Sequence, residues 1–98
     1  RNSSEIYGAT KAGLSQMTKY FATRYASFPI QVNCIAPGGV SNAKLQGPEF
    51  TRNYSALVPM SRLCYANEVA SLATKLACQG CDYLTGQTIA LDGGLSSW

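Results

Sequence analysis

The sequence has 98 residues, of which 46% are hydrophobic and 13% are charged, and its eight basic and five acidic residues give a formal net charge of +3. A chain of this size forms one small domain or part of one. Its charges are spread singly, which excludes the dense basic surface of a nucleic-acid-binding protein, and no apolar run is long enough to cross a membrane. The low charge indicates a surface covered by further chain or by partner subunits. Because no targeting or lipidation motif is present, we expect a cytoplasmic location.

The first predicted element is a long helix from about Ile6 to Ala26. Its apolar stripe has the spacing i, i+3, i+7 and i+11 and consists of Leu14, Met17, Phe21 and Tyr25. The opposite side is lined mostly by small residues, among them Ala9, Ala12 and Gly13. A lone surface helix would carry more charge, so we expect this second face to pack as well, against another helix that approaches closely.

Tyr7 and Lys11 stand four residues apart near the start of this helix, so both side chains are predicted to project to one side, one turn apart. A free phenol loses its proton only near pH ~10, but a nearby ammonium favours the phenolate and makes the phenol more useful for proton transfer. An ammonium also has three hydrogen-bond donors for the hydroxyls of a ligand. The two residues are therefore a candidate acid–base pair; the alternative is a stacked aromatic ring and a snorkelling cation.

A buried strand is predicted after Pro29, over the uncharged and β-rich residues 30–36. The following turn, residues 37–42, begins with proline and two glycines. In parallel α/β sheets, ligands bind beyond the carboxyl ends of the strands. This turn is therefore a candidate ligand contact, where Gly38 and Gly39 allow a close approach of the backbone. A plain strand-ending turn is the alternative.

The remaining chain predicts a lid, a helix and a last strand. Residues 42–61 are long for a connection and typical of a lid, with a short helix over 49–58. Asn67 is a candidate cap for an amphipathic helix over 68–78. Residues 87–91 alternate like a final strand and precede an Asp-Gly-Gly sequence.

The sequence contains four cysteines and no histidine, which argues against a metal site or a histidine-based triad. Cys78 and Cys81 form a single CxxC pair after an alanine-rich run. No second pair of ligands and no thioredoxin-like context accompanies it, so we interpret the cysteines as ordinary thiols in a reducing cytosol. A redox or zinc role is the alternative.

Three stretches taken together resemble the C-terminal half of classical short-chain dehydrogenases/reductases (SDRs). They are Tyr7-x-x-x-Lys11-Ala12-Gly13-Leu14, Val32-Asn33-x-Ile35-x-Pro37-Gly38-x-Val40 and Leu84-Thr85-Gly86-Gln87-x-Ile89-x-Leu91-Asp92-Gly93-Gly94. They follow the family's order and spacing and span nearly the whole chain. The resemblance is closest to 3-oxoacyl-(acyl-carrier-protein) reductases and related sugar or polyol dehydrogenases. It implies an α/β fold, here the C-terminal part of a Rossmann-type doubly wound parallel sheet.

The resemblance also implies an NAD(P)-dependent oxidoreductase that interconverts a carbonyl and an alcohol by hydride transfer. Tyr7 would be the general acid/base at the substrate oxygen, and Lys11 would hold the nicotinamide ribose and favour the phenolate. Both would contact the cofactor. The cofactor implied is NAD or NADP.

Four residues of the turn after the first strand are expected to contact the same cofactor. Pro37, Gly38 and Val40 would line the nicotinamide ring, with backbone groups of Val40 reaching its carboxamide. Asn42 stands where the family usually has threonine and can still offer hydrogen bonds. Cys64 stands where many members have glycine, and we assign no function to that change.

The family's glycine-rich phosphate-binding turn, its cofactor selector, its helix asparagine and its catalytic serine all lie upstream of the tyrosine. Ser3 and Ser4 are too close to Tyr7 to replace that serine. We therefore expect residues 1–98 to be the C-terminal portion of a single Rossmann-fold domain that is inactive alone. The remainder would be missing, cleaved off or carried on another chain. The expected partners are a dinucleotide, a small carbonyl or alcohol substrate, and either like subunits in a homodimer or homotetramer or an N-terminal companion segment.

Two other functions stay open. The sequence Glu5-Ile6-Tyr7-Gly8 favours a nucleotide-sugar epimerase or dehydratase of the extended SDR type, although the ending of the chain is of the classical type. A non-catalytic assembly or binding fragment is the third hypothesis, because the chain keeps C-terminal layers of the fold without its upstream cofactor site.

Overall fold

The computed structural model describes residues 2–42, 44, 46–78 and 80–97. The elements are α1 (Asn2–Arg24), β1 (Cys34–Pro37), α2 (Pro48–Leu57), α3 (Ala66–Ala77), β2 (Thr88–Leu91) and a 3₁₀ helix (Leu95–Ser97). Strands β1 and β2 pair in a sheet. The Cys34 N–H donates to the Gln87 carbonyl, and the Gly38 N–H donates to the Leu91 carbonyl. The residue numbers of both strands thus increase in the same direction, so the pair is parallel. The chain divides into two compact units, Arg1–Cys34 with Gly80–Ile89, and Ile35–Gln79 with Ala90–Trp98.

In the first unit, α1 begins at Asn2 and ends at Arg24, so the predicted start near Ile6 was four residues too late. The hydroxyl of Thr18 donates to the carbonyl of Leu14 at 2.8 Å. This bond satisfies the hydroxyl on the helix itself, so the threonine can be buried without another polar partner.

The side of α1 that is buried within the chain carries Thr18 and Ala22, which are 8% and 4% exposed. A Cβ on Gly86 would lie 3.3 Å from the Ala22 methyl, so the turn before β2 packs directly on this helix. Leu14 and Met17 of the predicted apolar stripe stay 46% and 53% exposed. Small side chains, which permit the closest approach, thus make the contact here.

Strand β1 begins at Cys34, so the prediction of a strand from residue 30 was wrong at its start. The Val32 N–H donates to the Thr85 hydroxyl at 3.0 Å, and the Gln31 side-chain amide donates to the Leu84 carbonyl at 2.9 Å. The side chains of Thr85 and Gln31 thus bind the Val32 N–H and the Leu84 carbonyl, which would otherwise be available for hydrogen bonds between strands. The prediction counted β propensity alone, and no sequence pattern shows this competition.

In the second unit, α2 begins with Pro48, whose missing N–H costs nothing at the first turn of a helix. The predicted range of 49–58 is therefore shifted by one residue. The predicted lid also includes positions 43 and 45, which lie outside the described residues. The lid function of residues 42–61 stays a prediction.

Helix α3 begins at Ala66, so the prediction that Asn67 caps it was wrong. The residue at the cap position is Tyr65, and its N–H donates to the Glu68 carboxylate at 2.9 Å. A carboxylate three residues into the helix can reach back to this amide, which is one half of a capping box. The resulting cap sets the path of the chain into α3.

Val58 and Leu63 form the buried apolar centre of the second unit, each 4% exposed. Gly93 has a φ of 63° and lies against Val58, where a Cβ would meet Cγ1 at 2.7 Å. The adjacent Asp92 carboxylate accepts the N–H groups of Gly94 and Ser96 at 3.0 and 3.1 Å. These contacts anchor the end of β2 in this unit. None of the described helices has the length and apolarity that a membrane crossing requires.

Candidate functional site

Tyr7 and Lys11 lie together on α1. The Lys11 Nζ atom is 5.4 Å from the centroid of the Tyr7 ring, which places both side chains on one side of the helix. The Tyr7 side chain is 64% exposed and Lys11 is exposed as well. The ammonium lies within cation–π distance of the ring. Both groups are accessible to a ligand from the first unit's surface, and their catalytic roles stay predictions.

In the second unit, the turn after β1 is fixed by backbone and side-chain hydrogen bonds. The Gly38 N–H donates to the Leu91 carbonyl at 2.9 Å. The Gly39 N–H donates to the Tyr54 hydroxyl at 2.7 Å, and the Gly39 carbonyl accepts from the Cys64 N–H at 2.8 Å. Three different segments therefore hold two consecutive residues of the turn.

The next residues of the turn pair with the segment before α3. Val40 and Cys64 form a parallel bridge, in which the Ser41 N–H donates to the Cys64 carbonyl at 2.8 Å. The Gln46 side-chain amide donates to the Val40 carbonyl at 3.0 Å and accepts the N–H of Asn42 at 2.8 Å. None of these bonds uses the Val40 N–H. The backbone groups predicted to meet a carboxamide are thus held in a defined orientation.

The two glycines of the turn were predicted to allow a flat group to approach the backbone, and within the chain the flat group is an aromatic ring. A Cβ on Gly39 would lie 2.6 Å from Tyr54 Cζ and 2.7 Å from Leu63 Cδ2. A Cβ on Gly38 would lie 3.1 Å from the Cα and Cβ atoms of Asp92. Gly39 therefore has no room for a side chain within the chain's own packing, whereas a side chain at Gly38 would make a tight contact with Asp92.

A cavity of about 150 Å³ lies in the second unit, lined in part by Gly38, Tyr54, Met60 and Asp92. Ligand pockets in proteins generally have volumes of about 300–1,000 Å³. This cavity is therefore too small to be a dinucleotide pocket by itself. Its walls instead show how α2, the turn and the end of β2 meet.

An ion pair stabilises the segment that bridges to the turn. The Arg62 guanidinium donates to both carboxylate oxygens of Glu68 at 2.9 Å and lies 4.7 Å from the centroid of the Tyr65 ring. The Arg62 hydrogen bond, together with the Tyr65 N–H, lowers the pKa of Glu68 to about 2, and the same bond raises the pKa of Arg62. Burial raises the pKa of the Cys64 thiol. Because a thiolate is the reactive form of cysteine, Cys64 lacks the environment of a nucleophile.

The site residues predicted from sequence fall into two groups. The structure brings Tyr7 and Lys11 together in the first unit. Pro37 ends β1, so its predicted place in the turn was wrong, and Gly38, Val40 and Asn42 lie in the turn that follows; all four belong to the second unit.

Sequence reasoning missed Gln46 and Tyr54, which fix the turn, and Arg62 and Glu68, which fix the segment that bridges to it. The spacing of Glu68 from the start of α3 carries a capping signal. The contact between Tyr54 and Gly39 crosses fifteen residues of chain and carries no local pattern.

The sequence matches a family model described as enoyl-(acyl carrier protein) reductase over residues 1–96. A tropinone reductase homologue of Arabidopsis thaliana is 36% identical over 99 residues, which cover 97% of this chain and 38% of that protein. The chain thus spans little more than a third of the length of this curated relative. The family model is consistent with the predicted resemblance to acyl-carrier-protein reductases.

Two solved structures share the fold. ElxO, determined with NADP bound, matches with a TM-score of 0.86 and 32% identity over 95% of this chain and 40% of that one. A short chain dehydrogenase from Leptospira borgpetersenii, determined with bound NAD+, matches with a TM-score of 0.86 and 36% identity over 94% of this chain and 35% of that one. These matches confirm the predicted Rossmann-type α/β fold.

Proposed function

The chain belongs to the short-chain dehydrogenase/reductase family, and from this we propose that it supplies the proton-transfer pair and the nicotinamide-facing turn of an NAD(P)-dependent oxidoreductase. The parent protein interconverts a carbonyl and an alcohol. The observation that carries the proposal is the one-sided placement of an exposed phenol and an ammonium on α1, with the Lys11 Nζ atom 5.4 Å from the Tyr7 ring.

In the proposed reaction, Tyr7 transfers a proton to or from the substrate oxygen. A phenol suits this role because its hydroxyl both donates and accepts a hydrogen bond. Lys11 donates hydrogen bonds to the ribose hydroxyls of the cofactor. The exposure of both side chains supports this assignment, since a substrate and a ribose must reach them.

The residues of the turn fit the edge of a nicotinamide. Pro37 and Gly38 offer a surface at the carboxyl end of a parallel strand, where such folds bind ligands. Val40 has an N–H outside the bonds that fix the turn, and this donor suits a carboxamide oxygen. Asn42 adds a polar side chain nearby. A bound nicotinamide supplies or accepts the hydride, which is the one part of the chemistry that no side chain of this sequence can perform.

Both NAD and NADP are compatible with the proposal, since related structures were determined with each. The residues that select between them belong to the part of the fold outside this chain. The same proposal has three further parts. Residues 1–98 are the C-terminal portion of a single Rossmann-fold domain. The protein forms a homo-oligomer or binds a companion segment, and it is located in the cytoplasm. The exposed apolar side chains Ile6, Leu14 and Met17 of α1 support a covering partner or further chain.

The test uses the full-length polypeptide that carries this chain. NADH and NADPH are titrated by fluorescence, and turnover is followed with a panel of carbonyl compounds that includes tropinone and a 3-oxoacyl thioester. Lys11→Ala should weaken dinucleotide binding by about tenfold or more, since it removes a charge-assisted hydrogen bond. Lys19→Ala, an exposed lysine farther along α1, is the matched control. Equal binding by both variants, or no binding by the unaltered protein, contradicts the proposal.

A further inference from the structure

Two other segments of the chain form hydrogen bonds with the N–H and the carbonyl of Gly39. Its N–H donates to the Tyr54 hydroxyl at 2.7 Å, and its carbonyl accepts from the Cys64 N–H at 2.8 Å. The preceding Gly38 N–H donates to the Leu91 carbonyl at 2.9 Å. The peptide between Gly38 and Gly39 is thus held directly by α2, and the two peptides that flank it are held by β2 and by the segment before α3.

One of these three bonds depends on the identity of a side chain. The bonds to Leu91 and Cys64 join backbone groups, so they survive most substitutions at those positions. The bond to Tyr54 disappears when the hydroxyl is removed. Among the described residues, no other side chain is seen to donate to or accept from Gly38 or Gly39. Tyr54 is therefore the side chain that holds the Gly38–Gly39 peptide of the turn.

Neighbouring residues fix the position of the Tyr54 ring. The Phe50 ring, one helical turn earlier on α2, has its centroid 5.8 Å from that of Tyr54 at an interplanar angle of 31°. On the other side, the ring approaches so closely that a Cβ on Gly39 would lie 2.6 Å from Cζ. Tyr54 itself is half-buried. The hydroxyl reaches the amide because the ring is supported by Phe50 and because Gly39 has no side chain.

We infer that Tyr54 is a positioning residue for dinucleotide binding: its hydroxyl fixes the Gly38–Gly39 peptide in the orientation from which the turn receives the nicotinamide. This inference rests on the proposed function, in which that turn contacts the cofactor. Tyr54 itself does not contact the cofactor. It acts through the Gly39 amide and belongs to α2, so movement of α2 and the shape of the turn are coupled.

The expected change in dinucleotide affinity follows from the fraction of molecules in which the turn has the orientation that binds the cofactor. Without the hydroxyl, the Gly39 N–H loses its hydrogen-bond acceptor, and the peptide can rotate towards another one. If about one turn in ten keeps the competent orientation, the apparent dissociation constant for the dinucleotide rises about tenfold. The ring of phenylalanine preserves the packing on Phe50, so the fold is retained.

The experiment compares Tyr54→Phe with the unaltered full-length polypeptide that carries this chain. Tyr83→Phe is the matched control, since the Tyr83 side chain is fully exposed and loses the same hydroxyl. Dissociation constants for NADH and NADPH are measured by fluorescence well below the thermal unfolding midpoint of each variant. The exchange rate of the Gly39 amide hydrogen is measured by NMR, with the signal identified from its loss in Gly39→Ala.

The inference predicts that Tyr54→Phe raises the dissociation constant about tenfold and speeds Gly39 amide exchange, whereas Tyr83→Phe changes neither. Faster exchange with an unchanged dissociation constant assigns Tyr54 a purely structural role and overturns the inference. Unchanged exchange overturns it too, because the bond then does not govern the amide. If the unaltered protein binds dinucleotide and Tyr54→Phe binds it equally, the inference alone fails. If the unaltered protein binds neither dinucleotide, the proposed function is wrong, and the inference that rests on it is wrong as well.

Discussion

The guanidinium of Arg62 meets the carboxylate of Glu68 with two parallel hydrogen bonds, each 2.9 Å long. One oxygen of the same carboxylate accepts the Tyr65 N–H and so caps α3. The side chains of both partners are more than a third exposed, which limits the strength of the ion pair by solvent screening. Its effect is therefore local, on the start of α3 and on the segment that bridges to the turn.

This pair predicts an acid-sensitive step in stability. The pKa of Glu68 lies near 2 in the folded chain and at 4.5 in the reference state, so its contribution is fully present above pH 4.5 and is lost as the pH falls towards 2. Glu68→Gln should lower the thermal midpoint at neutral pH and reduce its dependence on pH in that window. Glu49→Gln, in the first turn of α2, is the control and should lower the thermal midpoint less than Glu68→Gln does. Equal pH profiles for the unaltered protein and Glu68→Gln would refute the assignment.

The packing of the turn predicts a second, larger effect on stability. In Gly39→Ala, the new methyl would lie 2.6 Å from Tyr54 and 2.7 Å from Leu63, so the ring or the backbone must move. We expect a loss of about 1–3 kcal/mol in the free energy of unfolding. Gly47→Ala is the control, because its methyl would meet open space. Chemical denaturation measures both, and an equal loss in the two variants would show that the close packing is absent.

Local patterns in the sequence were enough to predict the helices and the placement of Tyr7 relative to Lys11. A spacing of four residues places two side chains on one side of any helix, and this depends on nothing else in the chain. The short helix predicted over 49–58 likewise agrees with α2 to within one residue. These features are set by neighbours in sequence, which is why they could be predicted.

The errors and omissions arose where side chains bind backbone groups, in two cases from distant parts of the chain and in one case from three residues away. Thr85 takes the Val32 amide and delays the start of β1 by four residues relative to the prediction. Glu68 caps α3 at Tyr65, so Asn67 lies inside the helix. The contact of Tyr54 with Gly39 likewise requires the fold to be known.

The small-residue face of α1 leads to a prediction about assembly. Among the described residues, and apart from its own stretch of helix, a Cβ on Gly13 would have no atom within 4 Å, so Gly13→Leu should leave the chain's own fold intact. If a partner helix approaches closely at this face, the larger side chain should reduce association. Light scattering measures the oligomer mass, with Gly13→Ala as the conservative variant. An unchanged mass for Gly13→Leu contradicts the expected close helix packing.

The most direct test of the central claim is the rate of hydride transfer in Tyr7→Phe, measured with the full-length polypeptide and a carbonyl substrate from the panel. Tyr20→Phe is the control, since its hydroxyl is on the same helix and is also exposed. If Tyr7 is the general acid/base, its loss should lower the rate by about 10²–10⁴-fold while dinucleotide still binds. The control should change the rate less than twofold, which is about 0.4 kcal/mol in the barrier. A Tyr7→Phe rate within threefold of the control contradicts the claim.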